Sequence, residues 1–140
     1  MALAGTELVQ TWFEEVWNKG HAEAIDRYAA PDLVGHGTAL PGTSDQSRLE
    51  RFKLLYHTYR TAFPDIRFTV ERTITEGDFI AAHLSVRGTH TGEGLGFAPT
   101  GRPVHFSGTI IIRRAGDRVA ESWESWSLLD LYEQLGHGRA

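Results

Sequence analysis

The sequence predicts an α+β fold in which helices come first and antiparallel strands follow. In the first half, apolar residues recur every three or four positions, which is typical of amphipathic helices. After Pro64 they alternate with polar residues, which is typical of half-buried strands. Because successive strands are joined without intervening helices, an antiparallel sheet is favoured over βαβ units. A curved sheet with the helices packed on one face would enclose a cone with an apolar floor, a common form of ligand site.

Two helical segments are predicted near the start of the chain. Apolar residues have helical spacing over residues 6–18, and Gly20 stands where a left-handed residue commonly ends a helix. The pattern repeats briefly over residues 22–29 until Pro31 stops it, and a short strand is expected over residues 32–36.

The clearest amphipathic helix precedes Pro64. Ser47 and Glu50 have the spacing of a capping box, and Thr43 and Ser44 are further candidate caps. The apolar stripe of this helix steps by three and four residues through Leu49, Phe52, Tyr56, Tyr59 and Phe63. We expect this stripe to pack against the sheet.

Four strands and a short terminal helix are predicted after Pro64. The strand patterns cover residues 66–75, 79–89, 104–113 and 118–128, and the helical turn covers residues 130–135. Turn residues join the first pair at Glu76-Gly77-Asp78 and the last pair at Ala115-Gly116-Asp117. A loop rich in glycine and proline separates the two hairpins over residues 90–103.

The last hairpin can form in two registers, which differ in the residues that share a face. With a three-residue turn, His105 shares its face with Glu121 and Trp123. With a two-residue turn, His105 shares its face with Glu124 and Trp126 instead. The glycine at the centre of the turn suits the three-residue form, which we favour, but the sequence leaves both open.

The composition excludes several classes of protein. A length of 140 residues suits one domain over residues 1–140, and 41 % hydrophobic with 23 % charged residues is close to a globular average. The net charge of -4 and the lack of a Lys/Arg run argue against a nucleic-acid partner. Without cysteine, disulfides, thiolate metal sites and a Cys nucleophile are excluded. No apolar stretch reaches the roughly 18 residues of a membrane span, and the N-terminus lacks signal-peptide features. We therefore expect a cytoplasmic protein without a membrane partner.

Common cofactor and nucleophile motifs are missing. The segment 92–97 comes close to a dinucleotide fingerprint, but it ends in Phe97 and joins two strands where a helix should begin. No P-loop, nucleophile elbow or HExxH is present, and the seven histidines are scattered. We expect no metal site.

Several segments together resemble one known family. They are Val16-Trp17-Asn18-Lys19-Gly20, Val34-Gly35-His36, Phe63-Pro64-Asp65, Arg87-Gly88-Thr89-His90-Thr91-Gly92-Glu93, Pro99-Thr100-Gly101-Arg102, Ile112-Arg113-Arg114 with Gly116, Val119, Glu121, Trp123 and Asp130, and Gln134-Leu135-Gly136. Over nearly the whole chain they are similar to the SnoaL-like polyketide cyclases of the NTF2-like superfamily.

This resemblance implies a cone-shaped α+β barrel with a curved antiparallel sheet, wrapped by the N-terminal helices. The family is commonly dimeric or tetrameric through the outer sheet face, so a homodimer or homotetramer is expected. Its founding members close a ring in aromatic polyketide biosynthesis by intramolecular aldol condensation, with no metal and no cofactor. They use a late-strand carboxylate with a histidine nearby. The matching positions here are Glu121 and His105, although the founding cyclases carry Asp where Glu121 stands.

Glu121 and His105 are therefore the predicted catalytic residues. A carboxylate in an apolar cone has a raised pKa and can remove a proton beside a carbonyl, while an imidazole helps to hold the enolate charge. The residues predicted to bind substrate are His36, Trp12, Phe52, Tyr56, Tyr59, His90 and Trp123. Most of these residues have a structural alternative. It is core packing for the helix aromatics, a turn-stabilising role for His36, hydrogen bonds to the local backbone for His90 and a surface position for His105. For Glu121 it is a solvated strand carboxylate or an ion pair with Arg113 across the hairpin.

The function we favour is a cofactor-independent cyclase, isomerase or lyase (dehydratase) that acts on a small apolar or aromatic carbonyl compound. The alternative is a module that binds such a ligand without chemistry, which is favoured if no titratable side chain reaches the cavity. A scaffold protein that uses the outer sheet face is a third interpretation. The alternating polar residues over residues 66–75 argue mildly against it.

Overall fold

The computed structural model describes residues 3–37 and 46–137 and confirms the α+β prediction. The elements are α1 Gly5–Thr11, a π-helical segment Trp12–Asn18, α2 Glu23–Tyr28, β1 Ala29–His36, β2 Gln46–Arg48, α3 Leu49–Ala62, β3 Arg67–Glu76, β4 Phe79–Thr89, β5 Pro103–Ala115, β6 Arg118–Trp126 and α4 Leu128–Gln134. None of the helices in these two ranges has the length and apolar character needed to cross a membrane.

The six strands in the described residues form one curved sheet in the order β2-β1-β6-β5-β4-β3. Neighbouring strands are antiparallel except β1 and β6, which run parallel, so the prediction of a wholly antiparallel sheet is wrong at this pair. Alternating polarity identifies a strand but does not identify its neighbour, which here lies more than 80 residues away. Within the described ranges β2 and β3 stay unpaired edges, so the cone is not closed into a barrel.

Helix α3 begins after a short strand and not at the predicted capping box. Residues 46–48 are extended and pair with β1, which places Arg48 at the N-cap position without a side-chain cap. Ser47 is therefore not the cap, and its side chain lies outside the described residues. Thr43 and Ser44 lie outside them as well.

The β5–β6 hairpin combines features of both predicted registers. Its turn has two residues, since Ala115 pairs with Arg118, and Gly116 supplies a left-handed conformation at a φ of 60°. A β-bulge beside the turn then shifts the register by one, so that Arg113 pairs with Glu121. Beyond the bulge, the side chains consequently face as they would after a three-residue turn.

In the part of the chain that the structure describes, the helices pack on one face of the sheet, here called the inner face. Along β5 every second residue is buried on this side, namely Val104, Phe106, Gly108, Ile110 and Ile112. Phe13 and Trp17 of the N-terminal helices pack on Phe68 of β3, with ring centroids 5.2 and 4.9 Å apart. The hydrophobic core and the interior of the cone therefore lie between the helices and the inner face.

Two of the segments that carry the family resemblance fasten the chain to the sheet. The Asn18 side chain accepts a hydrogen bond from the Phe68 N–H at 2.7 Å and donates one to the Phe68 carbonyl at 2.9 Å. The Asp65 carboxylate accepts hydrogen bonds from the N–H and the hydroxyl of Thr89 at 2.7 and 2.8 Å. These residues thus have a structural role that their position in a signature does not reveal.

Candidate active site

Two apolar chambers lie side by side between the helices and the inner face. The Trp126 chamber has a cavity volume of about 40 Å³ and is lined by Trp17, Phe52, Leu55, Tyr59, Ile66, Phe68, Phe106, Glu124, Trp126 and Leu128. The Ser122 chamber has a cavity volume of about 30 Å³ and is lined by Val9, Trp12, Phe13, Leu33, Phe52, Ile110, Ile112, Val119, Ser122 and Glu124. Both chambers are partly open to solvent, so an organic ligand would fill the narrow inner part and extend into the opening.

Glu124 is the one acidic side chain among the residues that line the two chambers, and it borders both. It lies on the inner face of β6, in phase with Ser122 and Trp126. Burial raises the pKa of the Glu124 carboxyl to about 7, and a hydrogen bond from the Trp126 side chain opposes this effect without cancelling it. A carboxyl group with a pKa near neutrality can both accept and return a proton.

Neutral hydrogen-bond donors accompany this carboxyl group. Trp126 and Tyr59 line the first chamber and Ser122 lines the second. The Tyr59 hydroxyl is 3.2 Å from the Tyr132 hydroxyl, and burial, with a further effect of Tyr132, raises the Tyr59 pKa far above its usual value. The hydroxyl is therefore protonated at neutral pH.

Glu121 lies on the outer face of the sheet, where its neighbours are charged. Its carboxylate accepts hydrogen bonds from His36 Nε2 at 2.7 Å and from Arg113 Nε at 3.3 Å. The bond from His36 is the main cause of a lowered Glu121 pKa, and Arg113 adds to it. The prediction of a dry carboxylate with a raised pKa at this position is wrong, because Glu121 alternates with the inward Ser122. The cross-strand ion pair with Arg113 is confirmed.

His105 is exposed on the same outer face but far from Glu121. Arg113, the cross-strand partner of Glu121, is eight residues along β5 from His105, which corresponds to roughly 26 Å. The backbone N–H and carbonyl of His105 bind the Gln134 side-chain amide, both at 2.8 Å. The predicted Glu121–His105 pair is therefore wrong in its geometry, since a shared face does not make two residues neighbours.

The predicted substrate-binding residues divide between the interior and the outer face. Those that line a chamber are Trp12, Phe52 and Tyr59. Tyr56 is buried beside them, and its ring centroid is 5.1 Å from that of Trp17. His36 and Trp123 stack on each other outside the chambers, with centroids 5.3 Å apart, because both belong to the outer row of their strands. For these two residues the predicted placement in the site is wrong.

His90 is fully buried in the loop after β4 and lines neither chamber. Its Nδ1 accepts a hydrogen bond from the Thr100 N–H at 3.1 Å, and its ring packs against Phe63 and Phe97. Its Nε2 has no hydrogen-bond partner within the described part of the chain. Burial, with a contribution from His137, lowers the His90 pKa, so the ring stays neutral at pH 7. These contacts match the predicted local structural role.

Fold and side chains together define the class of site. An α+β cone encloses an apolar interior with one carboxyl group and several neutral donors, which can bind an uncharged ligand and move a proton on it. Within residues 3–37 and 46–137, no group of three or more His, Asp or Glu side chains is arranged to hold a metal ion.

Comparison with known proteins identifies the family behind this class. The family model of the SnoaL-like polyketide cyclases matches residues 7–135. The chain belongs to this family, as its sequence segments predict. The comparison with curated proteins found no match.

Solved structures with the same fold carry different names. A protein from Acidithiobacillus ferrooxidans, proposed to be a polyketide cyclase, is 27 % identical with a TM-score of 0.83, over 99 % of this chain and 100 % of that one. IdmH from Streptomyces antibioticus, also proposed to be a polyketide cyclase, is 26 % identical with a TM-score of 0.80, over 94 % and 97 %. AclR from Streptomyces galilaeus, proposed to be a hydroxylase, is 26 % identical with a TM-score of 0.80, over 95 % and 83 %. These similarities support a cyclase-type protein without specifying its reaction.

Sequence reasoning missed Glu124 as a candidate for the acid/base group. No local signal distinguishes it from Glu121, because a tryptophan lies two residues beyond each glutamate: Trp123 on the Glu121 face and Trp126 on the Glu124 face. The choice between the two faces depends on the register of the β5–β6 hairpin.

Proposed function

We propose that this chain is a cofactor-independent acid/base enzyme that acts on a small apolar carbonyl compound, with Glu124 as its general base. The reaction type is intramolecular aldol cyclisation, or a related isomerisation or dehydration. The observation that carries the proposal is the position of Glu124 between two apolar chambers, with a pKa raised to about 7. Both protonation states are therefore populated at neutral pH, which general acid/base catalysis needs.

The proposed cycle balances without a cofactor. Glu124 removes a proton from the carbon next to a carbonyl group, and the C–H electron pair passes into an enolate. The enolate carbon attacks a second carbonyl group of the same molecule and forms the new C–C bond of the ring. The alkoxide oxygen that results takes the proton back from Glu124, which restores the carboxylate.

The negative charge that develops on the enolate oxygen requires donors nearby. The hydroxyl groups of Tyr59 and Ser122 are the candidates, since each of these side chains shares a chamber with Glu124. Neutral donors suit this role because they add no charge to an apolar site that already holds a carboxylate.

The lining residues favour an uncharged substrate. Neither Arg nor Lys is among them, and Glu124 is their one charged side chain. A phosphate or carboxylate on the ligand would enter without a counter-charge and beside a carboxylate of like sign, at a high desolvation cost. The expected ligand is therefore a neutral apolar or aromatic carbonyl compound.

Proton abstraction can be tested without the natural substrate. Nitrobenzisoxazole is neutral and apolar; a base removes its ring C–H proton, the N–O bond breaks, and a coloured cyanophenolate forms. We expect turnover that rises through an apparent pKa of about 7 as Glu124 ionises. Glu124→Gln should lower the rate by about 100-fold or more.

Glu121→Gln is the matched control, because it makes the same change on the same strand but on the outer face. We expect it to keep the rate within about twofold of the unmodified protein. Equal losses in both variants, or no loss in Glu124→Gln, would refute the assignment. A second assay follows the closure of a linear aliphatic diketone to a cyclohexenone. Tight diketone binding without turnover in either assay would support the alternative, a non-catalytic binding module.

A further inference from the structure

Phe52 stands at the boundary between the two chambers. It lines both of them, and Glu124 is the one other residue that does so. The Phe52 ring contacts Trp12, which lines the Ser122 chamber, with centroids 5.4 Å apart. It also contacts Trp17, which lines the Trp126 chamber, with centroids 6.1 Å apart. One aromatic ring on α3 thus packs against the wall of each chamber.

The π-helical segment explains how both tryptophans reach the same ring. Trp12 and Trp17 are five residues apart, and in an α-helix their side chains would diverge by about 140°. In this segment the Lys19 N–H bonds to the Glu14 carbonyl, five residues earlier, at 2.8 Å. This wider turn brings residues five apart towards the same side of the helix, where both tryptophans meet Phe52.

We propose that Phe52 determines ligand size by acting as a partition. It confines a ligand to one chamber, where the ligand meets Glu124 from one side only. The inference rests on the proposed function only in taking this interior as the ligand site; it does not require that Glu124 be a base. Removal of the ring would join the chambers into one cavity along the inner face and admit longer, fused-ring compounds.

The ligand class follows from the walls of the chambers. Each wall is aromatic and aliphatic with one carboxyl group, so the compounds that match these walls chemically are neutral aryl ketones of limited length. Acetylnaphthalene, with two fused rings, and acetylpyrene, with four, are suitable probes because they share the ketone and differ in size. Tryptophan fluorescence reports their binding, since Trp12, Trp17 and Trp126 line the chambers.

The experiment compares how strongly each variant prefers the smaller probe. We expect the unmodified protein to bind acetylnaphthalene at least about tenfold more tightly than acetylpyrene. Phe52→Ala should reduce this preference to about threefold or less, and the milder Phe52→Leu should give an intermediate value. Leu55→Ala is the matched control, because Leu55 lines only the Trp126 chamber and its removal cannot join the two. It should leave the preference above about fivefold. Thermal unfolding of each variant verifies that it is folded.

Several outcomes would overturn the partition. They are equal binding of both probes by the unmodified protein, an unchanged preference in both Phe52 variants, and a loss of preference in Leu55→Ala as large as in Phe52→Ala. Absence of binding in every variant would overturn it too, because the chambers would then accept no ligand. Glu124→Gln separates this inference from the proposed function. A preserved size preference together with undiminished nitrobenzisoxazole turnover in Glu124→Gln would leave the partition standing and refute the base.

Discussion

The buried carboxyl group of Glu124 should make the stability of the protein fall as the pH rises. In the folded chain Glu124 holds its proton up to about pH 7. In the unfolded chain Glu124 releases the proton near pH 4.5, its ordinary pKa. Between these two values the folded state binds more protons than the unfolded state, so the free energy of unfolding decreases with increasing pH. Below pH 4.5 the group is protonated in both states and costs nothing.

The size of this effect follows from the difference between the two pKa values. Each pH unit of difference is worth about 1.4 kcal/mol, so the rise from 4.5 to about 7 corresponds to about 3 kcal/mol. Glu124→Gln removes the titration and keeps the shape of the side chain. We therefore expect the stability advantage of Glu124→Gln over the unmodified protein to grow by about 3 kcal/mol between pH 4 and pH 8.

Urea denaturation of both proteins across this pH range measures the difference directly. Glu121→Gln serves as a control of opposite sign. The hydrogen bond from His36 lowers the Glu121 pKa, so this ion pair stabilises the fold above the ordinary pKa and loses its effect as the pH falls through the folded value. A stability difference for Glu124→Gln that is flat with pH, or that has the Glu121 sign, would refute the burial of the Glu124 carboxyl group.

Three further predictions concern other parts of the fold. In Gly108→Ala the new Cβ would overlap the Trp126 ring, so we expect the free energy of unfolding in urea to fall by about 1–3 kcal/mol and the tryptophan fluorescence to change. Unchanged values for both would contradict this prediction. Burial lowers the pKa of His90, with His137 adding to this, so stability should fall as the pH drops below the ordinary value of 6.5. His90→Asn should remove the loss of stability that His90 causes below pH 6.5. If the stability of this variant falls with decreasing pH as in the unmodified protein, the prediction is wrong. We expect a homodimer or homotetramer in light scattering, converted to a smaller species by Ile111→Glu on the outer face. Leu54→Glu on α3 should not have this effect, although Leu54 is also apolar and is more exposed than Ile111; a monomeric unmodified protein would disprove the prediction.

Local periodicity predicted much of the fold because each helix and hairpin is specified by its own residues. The stripe of α3 and the alternation in β3 to β5 are visible in a few turns or one strand of sequence. The parallel pairing of β1 with β6 is different in kind. It pairs Val34 with Glu121, which lie far apart in the sequence, and the residue pattern of neither strand predicts that the two are neighbours.

The resemblance to a family predicted the fold better than it predicted the site. Several of its matching segments serve the scaffold: Asn18 binds the backbone of β3, Asp65 binds Thr89, and Gln134 binds the backbone of His105. Residues shared for structural reasons identify the fold without marking the chemistry. The candidate base, Glu124, lies outside those segments, and its environment depends on helices from the other end of the chain.

The distinction between Glu121 and Glu124 rests on one extra residue in β6. Both are glutamates on the last strand, three positions apart, and so they face opposite sides of the sheet. With a two-residue turn alone, Glu121 would lie on the inner face of the sheet. The bulge between Arg113 and Arg114 shifts the register by one residue and places Glu124 on that face instead. A bulge depends on how the two strands twist against each other and against the covering helices, which a single strand does not encode. The same glutamate type is therefore an exposed ion-pair partner at one position and a proton-holding group between apolar chambers at the other.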